Sequence, residues 1–126
     1  GRRRAGYINL LELHEAQSQD GLLSFLWEST RLLLSSGLGS EPGMFELSSK
    51  DIMLFKKHPE ATSARNLLPC RVGGVCAMEG RFGVELHCNE GQLIAQVAQK
   101  AIEDLDISPG REIFAAIKSS AFRRLY

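Results

Sequence analysis

Residues 81–88, RFGVELHC, alternate without a break. Phe82, Val84, Leu86 and Cys88 fall on one side, and Arg81, Gly83, Glu85 and His87 on the other. A period of two with one apolar face predicts a half-buried strand. Gly80 and Asn89–Gly91 supply turns at its two ends, so QLIAQVA is expected to return as a hairpin partner. SFLWEST and RLLLSS predict a comparable pair nearer the N-terminus. Helical spacing occurs in AQKAIEDLD (Ala98–Asp106), where Ile102 and Leu105 share a face with Ala98 and Ala101, and Pro109-Gly110 stops anything further. Short strands, glycine turns and one short helix predict an all-β fold of two small OB-like barrel units, tandem or intertwined.

The pattern repeats. INLLELHEA (Ile8–Ala16) and RNLLPCRVG (Arg65–Gly73) both carry Asn-Leu-Leu into an extended segment. GLGSEPGMFELSSKD (Gly37–Asp51) echoes LDISPGREIFAAIKSSA (Leu105–Ala121): Pro-Gly, then a Phe in a strand, then a serine pair. The shared order of these matches predicts a diverged duplication. The polar stretch KKHPEATSA (Lys56–Ala64) reads as the connection, which gives units 1–57 and 58–126. The shared Asn-Leu-Leu then marks how each unit starts. Ser63-Ala64-Arg65 has no counterpart in the first unit.

Charge and cysteine content remove several functions. Fifteen basic residues balance fifteen acidic ones, so the surplus a general nucleic-acid binder needs is missing. Basic clusters at Gly1–Arg4 and Arg123–Arg124 read as solvated tails. The longest apolar patches, GLLSFLW and RLLLSSGL, fall far short of the roughly 20 residues that span a bilayer. Cys70, Cys76 and Cys88 are odd in number and form no C-x-x-C pair. They fit buried or incidental thiols in a reducing compartment, and His87 and Cys88 would point to opposite faces of one strand, unlike zinc ligands.

Catalytic patterns are equally absent. There is no G-x-x-x-x-G-K-[ST] loop, and GLGSEPG leads into a strand. His14, His58 and His87 have no local nucleophile context, and Glu103 and Asp104 lie on the outer helix face. The groups that remain suit an anion. Ser63, Arg65 and Asn66 lead into the second unit, and Lys118, Ser119 and Ser120 leave it. Backbone N–H groups, hydroxyls, an ammonium and a guanidinium could hold an oxyanion there. The same residues suit local turn bonds at Ser63 and Asn66 with Arg65 and Lys118 solvated, and residue chemistry alone favours this second reading.

A family resemblance shifts that balance. TSARNLLPCRV, an alternating strand, a short helix, SPG and FAAIKSS together resemble the Mop domain of molybdate-binding proteins across Thr62–Ala121. GYINLLE and FELSSKDIMLF resemble the transport-associated OB (TOBE) segment that precedes it in ABC importer ATP-binding subunits. The resemblance implies the C-terminal regulatory region of such a subunit. On that view this fragment is no enzyme, and ATP and Mg belong to a missing parent domain. Its ligand would be molybdate or tungstate, held at a subunit interface by Ser63, Ala64, Arg65 and Asn66 on one side and Lys118 and Ser119 on the other. Ala98, Lys100, Ala101 and Ser120 are possible additions. The implied partners are a second copy of the chain, the upstream nucleotide-binding domain and the importer's membrane subunit, without nucleic acid. The implied location is cytoplasmic, peripheral to the inner membrane.

Two departures stand out. Ala98 and Ala101 occupy positions where the family often has hydroxyls, so backbone N–H groups and Lys100 would have to serve. Pro69-Cys70 stands where a small residue is usual, and proline favours an edge or the start of a strand. The alternatives are a purely structural dimerisation domain of an ABC ATPase subunit, or the effector domain of a molybdate-responsive regulator.

Overall fold

The computed structural model describes residues 7–126, so the basic cluster Gly1–Arg4 lies outside the described residues. Ten strands and one helix follow in order: β1 (Ile8–Gln19), β2 (Leu22–Trp27), β3 (Thr30–Ser35), β4 (Gly43–Ser48), β5 (Ile52–Phe55), β6 (Asn66–Met78), β7 (Arg81–Cys88), β8 (Gly91–Val97), α1 (Gln99–Asp104), β9 (Glu112–Ile117) and β10 (Phe122–Arg124). Single 3₁₀ turns lie at Ser36–Leu38, Ser49–Asp51 and Ser119–Ala121.

The alternating stretches became hairpins. β2 pairs with β3 from Leu22–Ser35 to Trp27–Thr30, and β7 pairs with β8 from Phe82–Val97 to Cys88–Gly91. Val84, Leu86 and Cys88 point inward, while Arg81 and Glu85 stay exposed. Asn89 and Glu28 take positive φ of 57° and 54° at the two tips. The tips also meet. Asn89 Nδ2 donates to Thr30 Oγ1 at 3.2 Å, and the Trp27 indole covers Gly91, where any Cβ would overlap the ring.

α1 is shorter than its spacing predicted because Asp106 adopts φ 57° and closes it. Ile107 N–H donates to Ile102 O and Asp106 N–H to Glu103 O, which ends the helix before Pro109-Gly110 is reached. Ile102 and Leu105 pack on the core, as their face requires.

The all-β expectation holds, as two curled five-stranded antiparallel half-barrels with strand orders β10-β4-β1-β2-β3 and β5-β9-β6-β7-β8. The sheets exchange their last strands. β5 leaves the first half of the chain to pair with β9, and β10 leaves the second half to pair with β4. β1 and β6 each bulge midway, which helps long strands bend round a barrel. One continuous core joins both sheets through Phe25, Phe45, Leu47, Leu86, Ile117 and Phe122.

The solvated-tail expectation is corrected for Arg124. Both arginines sit in β10, where Arg123 stays exposed with its Nε 3.5 Å from Glu46 Oε2. The Arg124 guanidinium lies 4.5 Å from the Phe45 ring centroid and donates to the carbonyls of Leu38, Gly39 and Glu41. Carbonyls and an aromatic face replace water around this charge.

Candidate functional site

Strand register assembles the site. Ile117, the last residue of β9, pairs with Asn66 of β6 on one side and Ile52 of β5 on the other. One step beyond, Lys118 therefore stands level with Arg65 and Asp51. The 3₁₀ turn that follows begins at Ser119, and Ala121 N–H donates to Lys118 O at 3.0 Å. Two segments far apart in sequence, Ser63–Asn66 and Lys118–Ser120, thus share one end of a sheet.

The side chains divide by exposure. Ser63, Arg65, Lys118 and Ser120 are exposed, Ser119 is half-buried, and Ala64 is buried. Ala64 N–H is fixed by a local turn bond to Thr62 Oγ1 at 3.2 Å. Among the described residues neither Arg65 nor Lys118 forms an ion pair. Lys118, Lys50, Asp51 and Ser120 line a shallow depression of about 320 Å³. Its two ammonium groups favour an anion, and Asp51 opposes one.

Asn66 is placed differently. It is 4% exposed, and its amide is committed to backbone: Nδ2 donates to Leu33 O at 2.9 Å and Ile117 O at 3.2 Å, while Oδ1 accepts from Leu33 N–H at 2.7 Å. No side-chain donor is left for a ligand. Asn9 does the same at the other end of the molecule. It donates to Leu47 O and Ile94 O and accepts from Ile94 N–H at 2.8 Å. Each asparagine opens the first long strand of its half and clamps a strand of the opposite sheet. The repeated Asn-Leu-Leu is a frame element.

Ala98, Lys100 and Ala101 follow β8, whose contacts run to Asn9 and the 3₁₀ turn at Ser49–Asp51 rather than to Asn66. Ala98 caps α1 without a side-chain bond, and Lys100 Nζ sits 3.2 Å from Asp104 Oδ1 on the solvent side. The equivalent approach to the Asn66 end comes from β3. Ser35, its last residue, donates through Oγ to Ser119 O at 3.4 Å, and Ser36 opens the next turn. Nothing in the sequence analysis selected Ser35. The one available signal was the repeat itself, which sets the end of β3 against the end of β8. The serine pairs are also offset by one residue, because the two 3₁₀ turns start at Ser49 and Ser119.

Chemically, this end of the sheet offers a guanidinium, an ammonium and hydroxyls from three chain segments, without a catalytic pair. Among the described residues no group of three or more His, Cys, Asp or Glu side chains could hold a metal ion, and no helix is long and apolar enough to cross a membrane.

Comparison with known proteins bears on the same region. Residues 62–122 match the TOBE domain family. The molybdenum import ATP-binding protein ModC of Rhizobium meliloti (strain 1021) is 28% identical over 127 residues, covering 96% of this chain and 35% of that protein. ModC of Rhizobium johnstonii is 36% identical over 76 residues, covering 60% and 21%, and that of Yersinia pestis 32% over 78 residues, covering 62% and 22%. At its fullest match the chain spans 35% of the length of the relative. A solved structure of the cytoplasmic molybdate-binding protein ModG, with molybdate bound, superposes with a TM-score of 0.71 over 97% of this chain and 96% of that one. At 17% identity that likeness establishes the fold.

Proposed function

We propose, from the match of residues 62–122 to the TOBE domain family and the similarity to molybdenum import ATP-binding proteins, that the chain is the oxyanion-sensing region of an ABC importer ATP-binding subunit. The ligand is a tetrahedral dianion of the molybdate or tungstate class. The observation that supports this reading is that Arg65 and Lys118 each adjoin the terminal Asn66–Ile117 pair of one sheet, both exposed and, among the described residues, neither in an ion pair. Ser63, Ser119 and the backbone around Ala64 supply further donors. Asn66 holds the strand ends in place, and Ser35, its hydroxyl donating to Ser119 O, holds the Ser119 turn from the other half of the chain. Ala98, Lys100, Ala101 and Ser120 stay secondary candidates.

The ligand site lies where two copies of the chain meet. A ligand touching both copies stabilises the paired arrangement and so reports the cell's supply to the transport machinery. The nucleotide-binding domain and the membrane subunit are the partners of the parent chain, at the cytoplasmic side of the inner membrane. ATP and Mg act in that parent domain.

Isothermal titration with molybdate, tungstate and sulfate on dimeric protein tests this. Binding of molybdate or tungstate is expected, weakened by Arg65→Ala and by Lys118→Ala through loss of one charge-assisted bond each. No heat with any of the three anions would overturn it, and unchanged affinity in both variants would remove the assigned site. A second reading, a purely structural pairing domain, is favoured by the missing hydroxyls at Ala98 and Ala101 and by the outward Leu10, 63% exposed on β1. Sedimentation with and without molybdate separates the two, since pairing independent of ligand belongs to the second.

A further inference from the structure

Two of the three charged side chains that line the Lys118 depression come from the first half of the chain. Lys50 and Asp51 belong to the 3₁₀ turn between β4 and β5, and they meet Lys118 and Ser120 around it. The turn that carries them is firmly held. Ser49 is fully buried, where its hydroxyl accepts from Tyr7 N–H at 3.1 Å and donates to Gln96 Oε1 at 3.2 Å. Lys50 N–H donates to Ser48 Oγ at 3.2 Å. From that fixed backbone Lys50 and Asp51 are both exposed. Among the described residues, none of Lys50, Asp51 and Lys118 forms an ion pair. Charges of both signs thus border one shallow space of about 320 Å³ without being spent on each other. Two ammonium groups against one carboxylate leave a single net positive charge there.

We infer that Lys50 and Asp51 set which charge of oxyanion the Lys118 depression prefers, Lys50 favouring a dianion and Asp51 limiting how tightly it is held. The inference rests on the oxyanion reading and names what tunes that site. Coulomb energy scales with the product of the charges, so each of these residues acts twice as strongly on a dianion as on a monoanion of equal size. Hydroxyl and backbone donors follow shape and separate two such ions far less. Asp51 also has no proton to give, because an ionised carboxylate only accepts hydrogen bonds. It therefore offers a bare oxyanion repulsion and nothing in return. Tungstate and perrhenate isolate the effect, being tetrahedral anions of nearly equal size that differ by one charge.

Both anions are titrated calorimetrically into the whole chain, Lys50→Gln, Asp51→Asn and the double variant, at low and at physiological salt. Where direct heats with perrhenate are small, competition against tungstate gives its affinity. For exposed groups in water one charge should change perrhenate affinity about two- to threefold and tungstate affinity by the square, about four- to tenfold. Lys50→Gln should weaken both anions in that proportion, and Asp51→Asn should strengthen both. The double variant keeps one net positive charge and should return the tungstate-to-perrhenate ratio to that of the unmodified chain. Every change should shrink as salt rises. Both side chains are exposed, so the variants should melt as the unmodified chain does. Tungstate affinity unchanged in both single variants, or equal fold-changes for the two anions, would overturn the inference. The oxyanion reading would then stand if Arg65→Ala and Lys118→Ala still weaken tungstate. Absence of tungstate binding to every form would overturn the reading and the inference together.

Discussion

Replacing Asn66 by alanine separates the structural role of the Ser63–Asn66 stretch from the ligand binding proposed for it. The side chain makes three backbone hydrogen bonds, two to Leu33 and one to Ile117, while 4% exposed. Alanine leaves Leu33 N–H without an acceptor in a site that water does not easily reach, at a cost of about 1–3 kcal/mol. The two carbonyls suffer less, because a second lone pair can stay engaged, and together they add about 1 kcal/mol. The sum is about 2–4 kcal/mol, which for a chain of this length lowers Tm by roughly 8–15 °C. Circular dichroism melts with urea titrations at matched m-value measure it. Asn9→Ala should cost a similar amount, since Asn9 makes the same three bonds to Leu47 and Ile94. Arg65→Ala, one residue away and exposed, should change stability by less than about 0.5 kcal/mol. A loss under about 0.5 kcal/mol for Asn66→Ala, or an equal loss for Arg65→Ala, would refute the clamp.

Three further outcomes follow. Ser35→Ala, which releases Ser119 O, should weaken molybdate binding less than Arg65→Ala or Lys118→Ala does in calorimetry, and a loss as large as theirs would make Ser35 a direct ligand contact. Gly91→Ala should destabilise by about 1–3 kcal/mol in a urea titration, because its Cβ meets the buried Trp27 ring. The Cys88 thiol, raised by its contact with Cys70 and by burial, keeps its proton when folded and releases it near its ordinary value of 9.0 when unfolded. The unfolded state therefore binds fewer protons above that pH, so stability is full below it and falls as pH rises, by up to about 1.4 kcal/mol per pH unit. Cys88→Ala should flatten that alkaline limb, and an unchanged limb would refute the cause.

Much of the strand layout was legible because pattern and turn chemistry act locally. Alternation in 81–88, the glycine and asparagine turns and the short helical spacing each specify a few neighbouring residues, and each appears where it was read, the helix shortened to Gln99–Asp104. The repeated Asn-Leu-Leu also carried its meaning openly. Two positions used alike in both halves serve the frame, and the amides of Asn9 and Asn66 do so. The side chains proposed to face the ligand were legible only as residue types.

What the sequence determined by itself is therefore which face of the 81–88 strand is buried and where the neighbouring hairpins turn, since both depend on residues within reach of one another along the chain. It left open which strand each one joins. A period of two orients side chains but does not choose a hydrogen-bonding partner, so the exchange of β5 and β10 between the sheets was set by the shared core. The same holds for the site. Arg65 and Lys118 are level because Ile117 pairs with Asn66, and Ser35 reaches Ser119 because β3 curls across from the other sheet. The Cys70–Cys88 contact, 18 residues apart in sequence, exists for the same reason: strand register, fixed by tertiary packing, brings distant groups together.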